Sequence, residues 1–442
     1  MEIQETLKQA KNDEVRFVSL QFSDLLGVVK EVIIPIRELE CALTRGVWFD
    51  GSSIEGFARI QESDLFLKPD TATYCVVPWD SENGKTVRFI CDLYKSDGTT
   101  FEGDPRFILK KAVSKALELG FEYNVGPEPE FYLFKKNDAS KTLPVDGGGY
   151  FDLTLSETNS VLKEIMDSLG IFSINPEASH HEVGPGQYEV GFNYAHAIET
   201  ADRLLTLKYV VKKIAQRNGL HATFMAKPML GLAGSGLHVH QSLFDAKTRD
   251  NLFYDNVDKY NLSKTAYSFI AGQMKHIKAL CAILCPTVNS YKRLVSGFEA
   301  PVYITWASMN RSSLIRIPKW FGQNPQSARV ELRCPDPTCN PYLAFAVMLE
   351  AGLDGVKQNL VPPEAVEENV YKFDNEDLKK RHVNVLPSSL FDALSEMKNN
   401  ALVVETLGNS LLEKYVTIKT KEWEEFKMEV TPWEVKKYLD AY

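Results

Sequence analysis

Residues 128–134 read EPEFYLF. In a strand, residues i and i+2 share a face. Glu128 and Glu130 therefore stand together on one side, ahead of a strand over Tyr132 to Phe134. The same two-residue step recurs downstream. His238-Val-His240 sits in GSGLHVHQSLF, and Glu331-Leu-Arg333 sits in ARVELRCP. A fourth segment, HHEVGPGQYE at 180–189, places Glu182 and Glu189 on either side of a Gly-Pro-Gly turn, a spacing that suits two groups converging across a hairpin. One such pair alone fits an exposed strand face or a satisfied core histidine. Several polar pairs on otherwise apolar strands are costly to bury unless something neutralises them. Sites rich in Glu with one His suit hard divalent cations such as Mg²⁺ or Mn²⁺ better than zinc. Six ligands suffice for two ions, a common device for spreading charge over a transferring phosphoryl group.

Arg293, Arg311, Arg316, Arg329 and Arg333 crowd into the following stretch, several flanked by Leu, Ile and Val. An exposed charged face is one reading. The other is a set of planar forks holding carboxylate and phosphate oxygens bidentately. Phosphoryl transfer needs mostly positioning and charge neutralisation, so it requires no dedicated nucleophile. No Ser/His/Asp or Cys/His arrangement stands out.

Working outward, VRFVSLQF, VVKEVIIPI, ATYCVVPW and TVRFICDLY are rich in β-branched and aromatic residues, and Gly, Asp and Pro separate them. They predict a small sheet-dominated domain over 13–97, preceded by a short amphipathic helix at 2–12. The Gly- and Pro-containing stretch Asp97 to Pro105 marks a boundary. Helical periodicity follows in FILKKAVSKALELG and at 156–169, 199–218, 263–283, 341–357 and 388–405. Strand-like runs lie between, which predicts a large α+β domain over 104–442 with a mostly helical end.

The chain has 442 residues, 44% hydrophobic and 25% charged, which is ordinary for a folded protein. Fifty Lys and Arg against 59 Asp and Glu give a net charge of −9, which argues against a nucleic-acid partner. No apolar run approaches the ~20 residues of a membrane span, and the N-terminal residues lack a signal-peptide core. Seven cysteines at 41, 75, 91, 281, 285, 334 and 339 form no C-x-x-C. They read as free thiols in a reducing cytoplasm. Cys281 and Cys285 stand four apart on a helical stretch, within reach of each other, and burial accounts for them. The phosphate loop fails because Trp79 stands where its first Gly belongs. The dinucleotide fingerprint fails because Gly234-Ser-Gly236 has no third Gly.

FDGSSIEGF (49–57), GPEPEF (126–131), ASHHEVGPGQYE (178–189), GSGLHVH (234–240), NSYKRLVSGFEAP (289–301), NRSSLIRIP (310–318) and RVELRCPDPTCNPYLA (329–344) together resemble type I glutamine synthetase, in the same order over nearly the whole chain. The resemblance implies a small N-terminal β-grasp domain and a large catalytic domain with a curved antiparallel sheet and helices. It implies a dodecamer of two hexameric rings, with each site shared between neighbours. It implies ATP-dependent ligation of ammonia to L-glutamate through γ-glutamyl phosphate. One metal site would use Glu130, Glu182 and Glu189, and the other Glu128, His238 and Glu331. Glutamate would meet Gly234, Arg293, Glu299, Arg311 and Arg333. ATP would meet Glu177, His240, Ser242, Arg316 and Arg329. Asp50 from the neighbour would take a proton from ammonium, Arg311 would help phosphoryl transfer, and Glu299 would close over the site.

The chain departs from that pattern at several places. Ala233 replaces the Asn usual before Gly-Ser-Gly, Ser296 stands where Pro is common, and the segment 319–328 is longer than usual. Asn384 occupies the place of the tyrosine that some members adenylylate, which implies the subgroup without that control. Arg59 matches an arginine tied to glutamine feedback in that subgroup. Two rivals remain at this stage: a γ-glutamyl ligase acting on a polyamine or other amine, and a catalytically silent ring-forming relative.

Overall fold

The computed structural model describes residues 1–442 except 55, 57–63, 81–83, 137–142, 154–157, 299, 320–323 and 374. Arg59 and Glu299 therefore lie outside the described residues, as does part of the 319–328 segment.

The N-terminal sheet has the strand order Val29–Pro35, Val15–Ser23, Lys85–Lys95, Asp64–Pro69, Val47–Asp50. Val15–Ser23 and Lys85–Lys95 run parallel, while the flanking pairs are antiparallel. With helix Leu39–Arg45 burying Leu39, Ala42 and Leu43, this is the expected β-grasp arrangement. ATYCVVPW behaves differently from its β-rich composition: Thr71–Thr73 forms a 3-10 turn capped by Asp70, and only Cys75–Val76 is strand.

The larger sheet has the order Trp306–Ala307, Ile315–Arg316, Val330–Leu332, Leu237–Asp245, Phe121–Lys135, Gln187–Phe192, Pro176–His181. It is antiparallel apart from the first pair, which is parallel. Its central strand, Phe121–Lys135, is far longer than the sequence suggests and contains Pro127 and Pro129. Prolines are rare inside sheets because they cannot donate to the ladder. Here Glu130 N–H bonds towards the Leu237–Asp245 side. The odd-numbered nitrogens therefore face the opposite flank. On that flank pairing stops at Val125 and resumes only at Glu130, so neither proline forfeits a ladder bond.

Alternation divides the sheet into two faces. Tyr123, Val125, Phe131 and Leu133 enter the main core, as do Leu237, Val239 and Leu243, Val330 and Leu332, and Tyr188 and Val190. Between them stand Glu128, Glu130, His238, Glu331 and Glu189. Core helices Lys264–Leu284 and Pro341–Gln358 cross at Gly272 and Gly355, where an added Cβ on Gly272 would meet Ala351 O at 2.2 Å. The expected helix over 388–405 is two helices, Leu390–Lys398 and Ala401–Leu407. Asn400 breaks it by capping the second, its side chain accepting from Val403 N–H.

A buried polar network joins the domains. Arg106, 3% exposed, grips Asp202 through Nε and Nη2 at 3.1 and 2.8 Å, Asp92 at 2.7 Å and Asp70 at 2.8 Å. Tyr342 donates to the same Asp202 at 2.6 Å, and Asn340 reaches Asp24 O at 3.0 Å. The sheet of the large domain is thereby held in fixed relation to the small one.

Candidate metal centre and its two cavities

Strand register assembles the site. Glu128 lies opposite His238, His240 opposite Glu331, and Glu331 opposite Arg316. On the other side Glu130 lies opposite Glu189, and Glu189 opposite His180. Cross-strand neighbours sit within side-chain reach, so residues from six strands share one patch.

The patch lines a cavity of about 470 Å³ that contains all six expected ligands: Glu128, Glu130, Glu182, Glu189, His238 and Glu331. Gly234, Arg293, Arg311 and Arg333 line it too, as does Arg316. A second cavity of about 420 Å³ holds Glu177, His240, Ser242 and Arg329. The two share Glu128, His180 and Glu189 as a common wall. The sequence grouped Arg316 with the ATP residues, but it lines the first cavity and is ion-paired to Glu331. Asp50 is not among the described residues lining either cavity. It is exposed at the end of Val47–Asp50 and accepts from Ser52 N and Oγ at 2.9 and 2.7 Å.

The donors stand close to one another. His238 Nδ1 is 3.6 Å from Glu128 and 3.8 Å from Glu331, and its Nε2 is 3.8 Å from Glu130. His240 Nε2 is 2.8 Å from Glu128. Glu331, wholly buried, is clasped by Arg316 and Arg333. Glu130 accepts from Gln187 Nε2 at 2.8 Å and Gly236 N at 2.9 Å. His180 lies 3.5 Å from Glu182 and 3.3 Å from Glu189. Among the described residues, the carboxylate and imidazole triplets whose donor atoms lie within 4.8 Å of one another are Glu128–Glu189–His238, Glu128–His240–Glu331 and His180–Glu182–Glu189. They regroup five of the six expected ligands, leave out Glu130, and add two histidines.

Electrostatics splits the patch. Burial opposes ionisation of Glu128, but His240 and His238 outweigh it and drive its pKa far down. Burial likewise opposes ionisation of Glu331, yet Arg333, the two histidines and Arg316 bring it to about 2. On the other side, burial and then Glu130 and Glu189 push Glu182 up to about 8. Burial raises Glu189 and Glu130 as well. His180 rises to about 9, chiefly through its hydrogen bond to Glu189. Three carboxylates that resist ionising together, in an oxygen-rich set with imidazole and no thiolate, fit hard divalent cations.

This has a consequence for stability. The raised pKa of Glu182 means the metal-free fold binds a proton that the unfolded chain releases near 4.5. Stability therefore falls as pH rises towards 8. His180, protonated up to about 9, adds stability that is lost as pH rises through that value. Both slopes have one sign. The chelated protein is expected to lose thermal stability between pH 5 and 9, and saturating Mn²⁺ to flatten the decline. Identical slopes in calorimetry with EDTA and with Mn²⁺ would contradict this.

Gly234 and Gly236 let the backbone press against the site. A Cβ on Gly234 would lie 2.6 Å from Ala226 O, and one on Gly236 2.7 Å from Arg293 Nη2. At the unusual Ala233, the main-chain carbonyl accepts from Tyr132 OH at 2.7 Å. His180, Gln187 and Gly236 are site residues that sequence reasoning did not single out. The pairing of His180 with Glu189 across the Gly-Pro-Gly hairpin is the signal that identifies the first.

Family models match both parts of the chain: the glutamine synthetase β-grasp domain over residues 14–96 and the glutamine synthetase catalytic domain over 102–438. The chain belongs to the glutamine synthetase family. A glutamine synthetase of Clostridium saccharobutylicum is 47% identical, over 99% of both chains. One from Staphylococcus aureus strain MW2 is 46% identical, over 98% of this chain and 97% of the relative. Among solved structures, a GmaS/ADP complex superposes with a TM-score of 0.89 at 31% identity, covering 99% of each chain. Like a glutamine synthetase, the chain pairs a β-grasp domain with a curled sheet backed by helices. Among its described residues no helix is long and apolar enough to cross a membrane.

Proposed function

We propose that this glutamine synthetase family member joins ammonia to L-glutamate, giving L-glutamine, ADP and phosphate. The observation that carries the reading is the acidic wall shared by two cavities, one lined with arginines and the other with the residues matched to ATP contacts. A donor wall between two anionic substrates is what phosphoryl transfer requires. The 46–47% identity to glutamine synthetases over nearly the whole chain supports the same substrates.

Glu130, Glu182 and Glu189 would hold one divalent cation, Mg²⁺ or Mn²⁺, and Glu128, His238 and Glu331 a second. Bound there, the ions supply charge neutralisation at the transferring phosphoryl group. Arg293, Arg333 and the Gly234 main chain orient glutamate, and Arg311 faces the same cavity to steady the attacking γ-carboxylate. Glu177, His240, Ser242 and Arg329 seat ATP, with Arg316 reaching in from beside Glu331. The γ-carboxylate attacks the γ-phosphate, ADP leaves, and ammonia then displaces phosphate from γ-glutamyl phosphate. Asp50, brought over from an adjacent subunit, takes the proton from ammonium. Glu299 closes the entrance and keeps water from the acyl phosphate.

This reading carries the rest of the assignment with it: units over 13–97 and 104–442, a dodecamer of two rings, and a cytoplasmic setting. Control is by feedback through Arg59 rather than adenylylation, since Asn384 lacks the acceptor hydroxyl.

Phosphate release from ATP and glutamate tests the amine. Ammonium is expected to accelerate it and putrescine is not. Acceleration by putrescine alone would reassign the chain as an amine ligase, and no turnover with either would mark a silent relative. Asp50→Ala is expected to impair ammonia use far more than acyl-phosphate formation. Equal loss of both steps would remove Asp50 from the ammonium site. Mixing Asp50→Ala with Glu331→Ala subunits should restore some activity if sites are shared.

A further inference from the structure

Helix Lys264–Leu284 carries Cys281 near its end and is followed at once by Cys285, while Cys334 comes just after strand Val330–Leu332. All three are wholly buried, and their Sγ atoms lie within 4.8 Å of one another. Two long-range elements thus bring three sulfurs to one point. Cys285 Sγ donates to the Cys334 carbonyl at 3.1 Å. The same carbonyl accepts from Arg293 Nη1 at 2.8 Å, and the Arg333 carbonyl accepts from Arg293 Nη2 at 3.1 Å. The cluster therefore lies directly behind an arginine that lines the first cavity.

We propose that Cys281, Cys285 and Cys334 form a thiolate site for one soft d¹⁰ cation, distinct from the carboxylate centre. The chemistry of the donors selects the ion: three thiolates favour soft cations, whereas the Glu-rich patch favours hard ones. Zinc–sulfur bonds of ~2.3 Å place three sulfurs around one ion at roughly 4 Å from each other. Sulfurs gathered within 4.8 Å of one another are compatible with that geometry. Charge also fits, because a divalent ion with three thiolates carries one net negative charge beside the Arg293 guanidinium. Burial opposes ionisation of Cys334, but its contacts with the neighbouring thiols and the charge of Arg293 bring it down to about 5. A contact with Cys285 lowers Cys281 but Cys334 and burial outweigh it, and burial pushes Cys285 up, so these two stay protonated until a metal displaces their protons. In binding, metal–sulfur bonds replace the sulfur–proton bonds of Cys281 and Cys285, and the Cys334 thiolate gives the third bond without losing a proton. The protons pass to solvent and no electrons move. The Cys334 carbonyl loses the Cys285 donor and keeps Arg293. Ordinary burial explains a cysteine as a small apolar residue, but not three sulfurs gathered against a cationic side chain.

Cadmium is the probe, added to metal-free full-length protein and followed by its ultraviolet thiolate charge-transfer band and by cadmium-113 NMR. The band is expected to saturate at one Cd²⁺ per chain, with an NMR shift in the range of sulfur ligation. Excess Mg²⁺, which competes for the carboxylates, should leave both unchanged. Cys334→Ala is expected to weaken this binding at least 100-fold while circular dichroism stays native, and Cys281→Ala serves if that variant does not fold. No charge-transfer band at stoichiometric Cd²⁺, an NMR shift in the oxygen range alone, or full binding by a folded Cys334→Ala or Cys281→Ala variant would overturn the proposal.

Discussion

Replacing Glu331 with alanine is expected to lower ammonium-dependent phosphate release by about 10³-fold, the scale of losing a group that organises transition-state charge. The residue sits opposite both His240 and Arg316 in the sheet, so its loss removes a donor from the wall and frees two guanidinium groups at once. Arg333 is 5% exposed and would keep a buried charge without its partner. Breaking a buried pair in this way costs about 3–5 kcal/mol. The variant should therefore be both inactive and less heat-stable, and Glu331→Gln should recover part of the stability without the activity. Turnover within a few-fold of wild type would refute a ligand role for Glu331.

Glu189→Gln is expected to change two observables. Glu189 faces Glu130 across the ladder and helps to push Glu182 up. Neutralising it relieves that repulsion and also removes the carboxylate that holds His180 protonated, so both raised pKa values should fall and the chelated protein should lose less thermal stability between pH 5 and 9 than wild type does. The same change removes a donor shared by both cavities, and divalent-ion affinity should drop about 100-fold, at the upper end of what outer-sphere losses alone produce. Calorimetry with EDTA, paired with a Mn²⁺ titration, reads both. A variant whose chelated form declines with pH as steeply as wild type, or that binds Mn²⁺ as wild type does, contradicts the account.

Much of this site was legible because alternation writes itself into sequence. Glu128 and Glu130, His238 and His240, and Glu331 each stand beside residues that enter the core, and the faces followed from period two alone. What period two does not reveal is register. His180 joins the site only because Pro176–His181 pairs with Gln187–Phe192 so that it faces Glu189. Arg316 comes to stand beside Glu331 in the first cavity for the same kind of reason. The length of the central strand was hidden by its prolines, which are tolerated only because one flank is unpaired between Val125 and Glu130. Strands Val47–Asp50 and Asp64–Pro69 are short and lie in a stretch without a distinct β-rich run. Cys281 and Cys285 were visible as helical neighbours, whereas Cys334 arrives through tertiary packing that no local pattern encodes.

Anomalous diffraction from crystals grown with Mn²⁺ and an ATP analogue would locate the ions outright. The account predicts two Mn²⁺ per chain on the wall between the cavities, one against Glu130, Glu182 and Glu189 and the other against Glu128, His238 and Glu331. Strong manganese peaks elsewhere, with none on that wall, would contradict it.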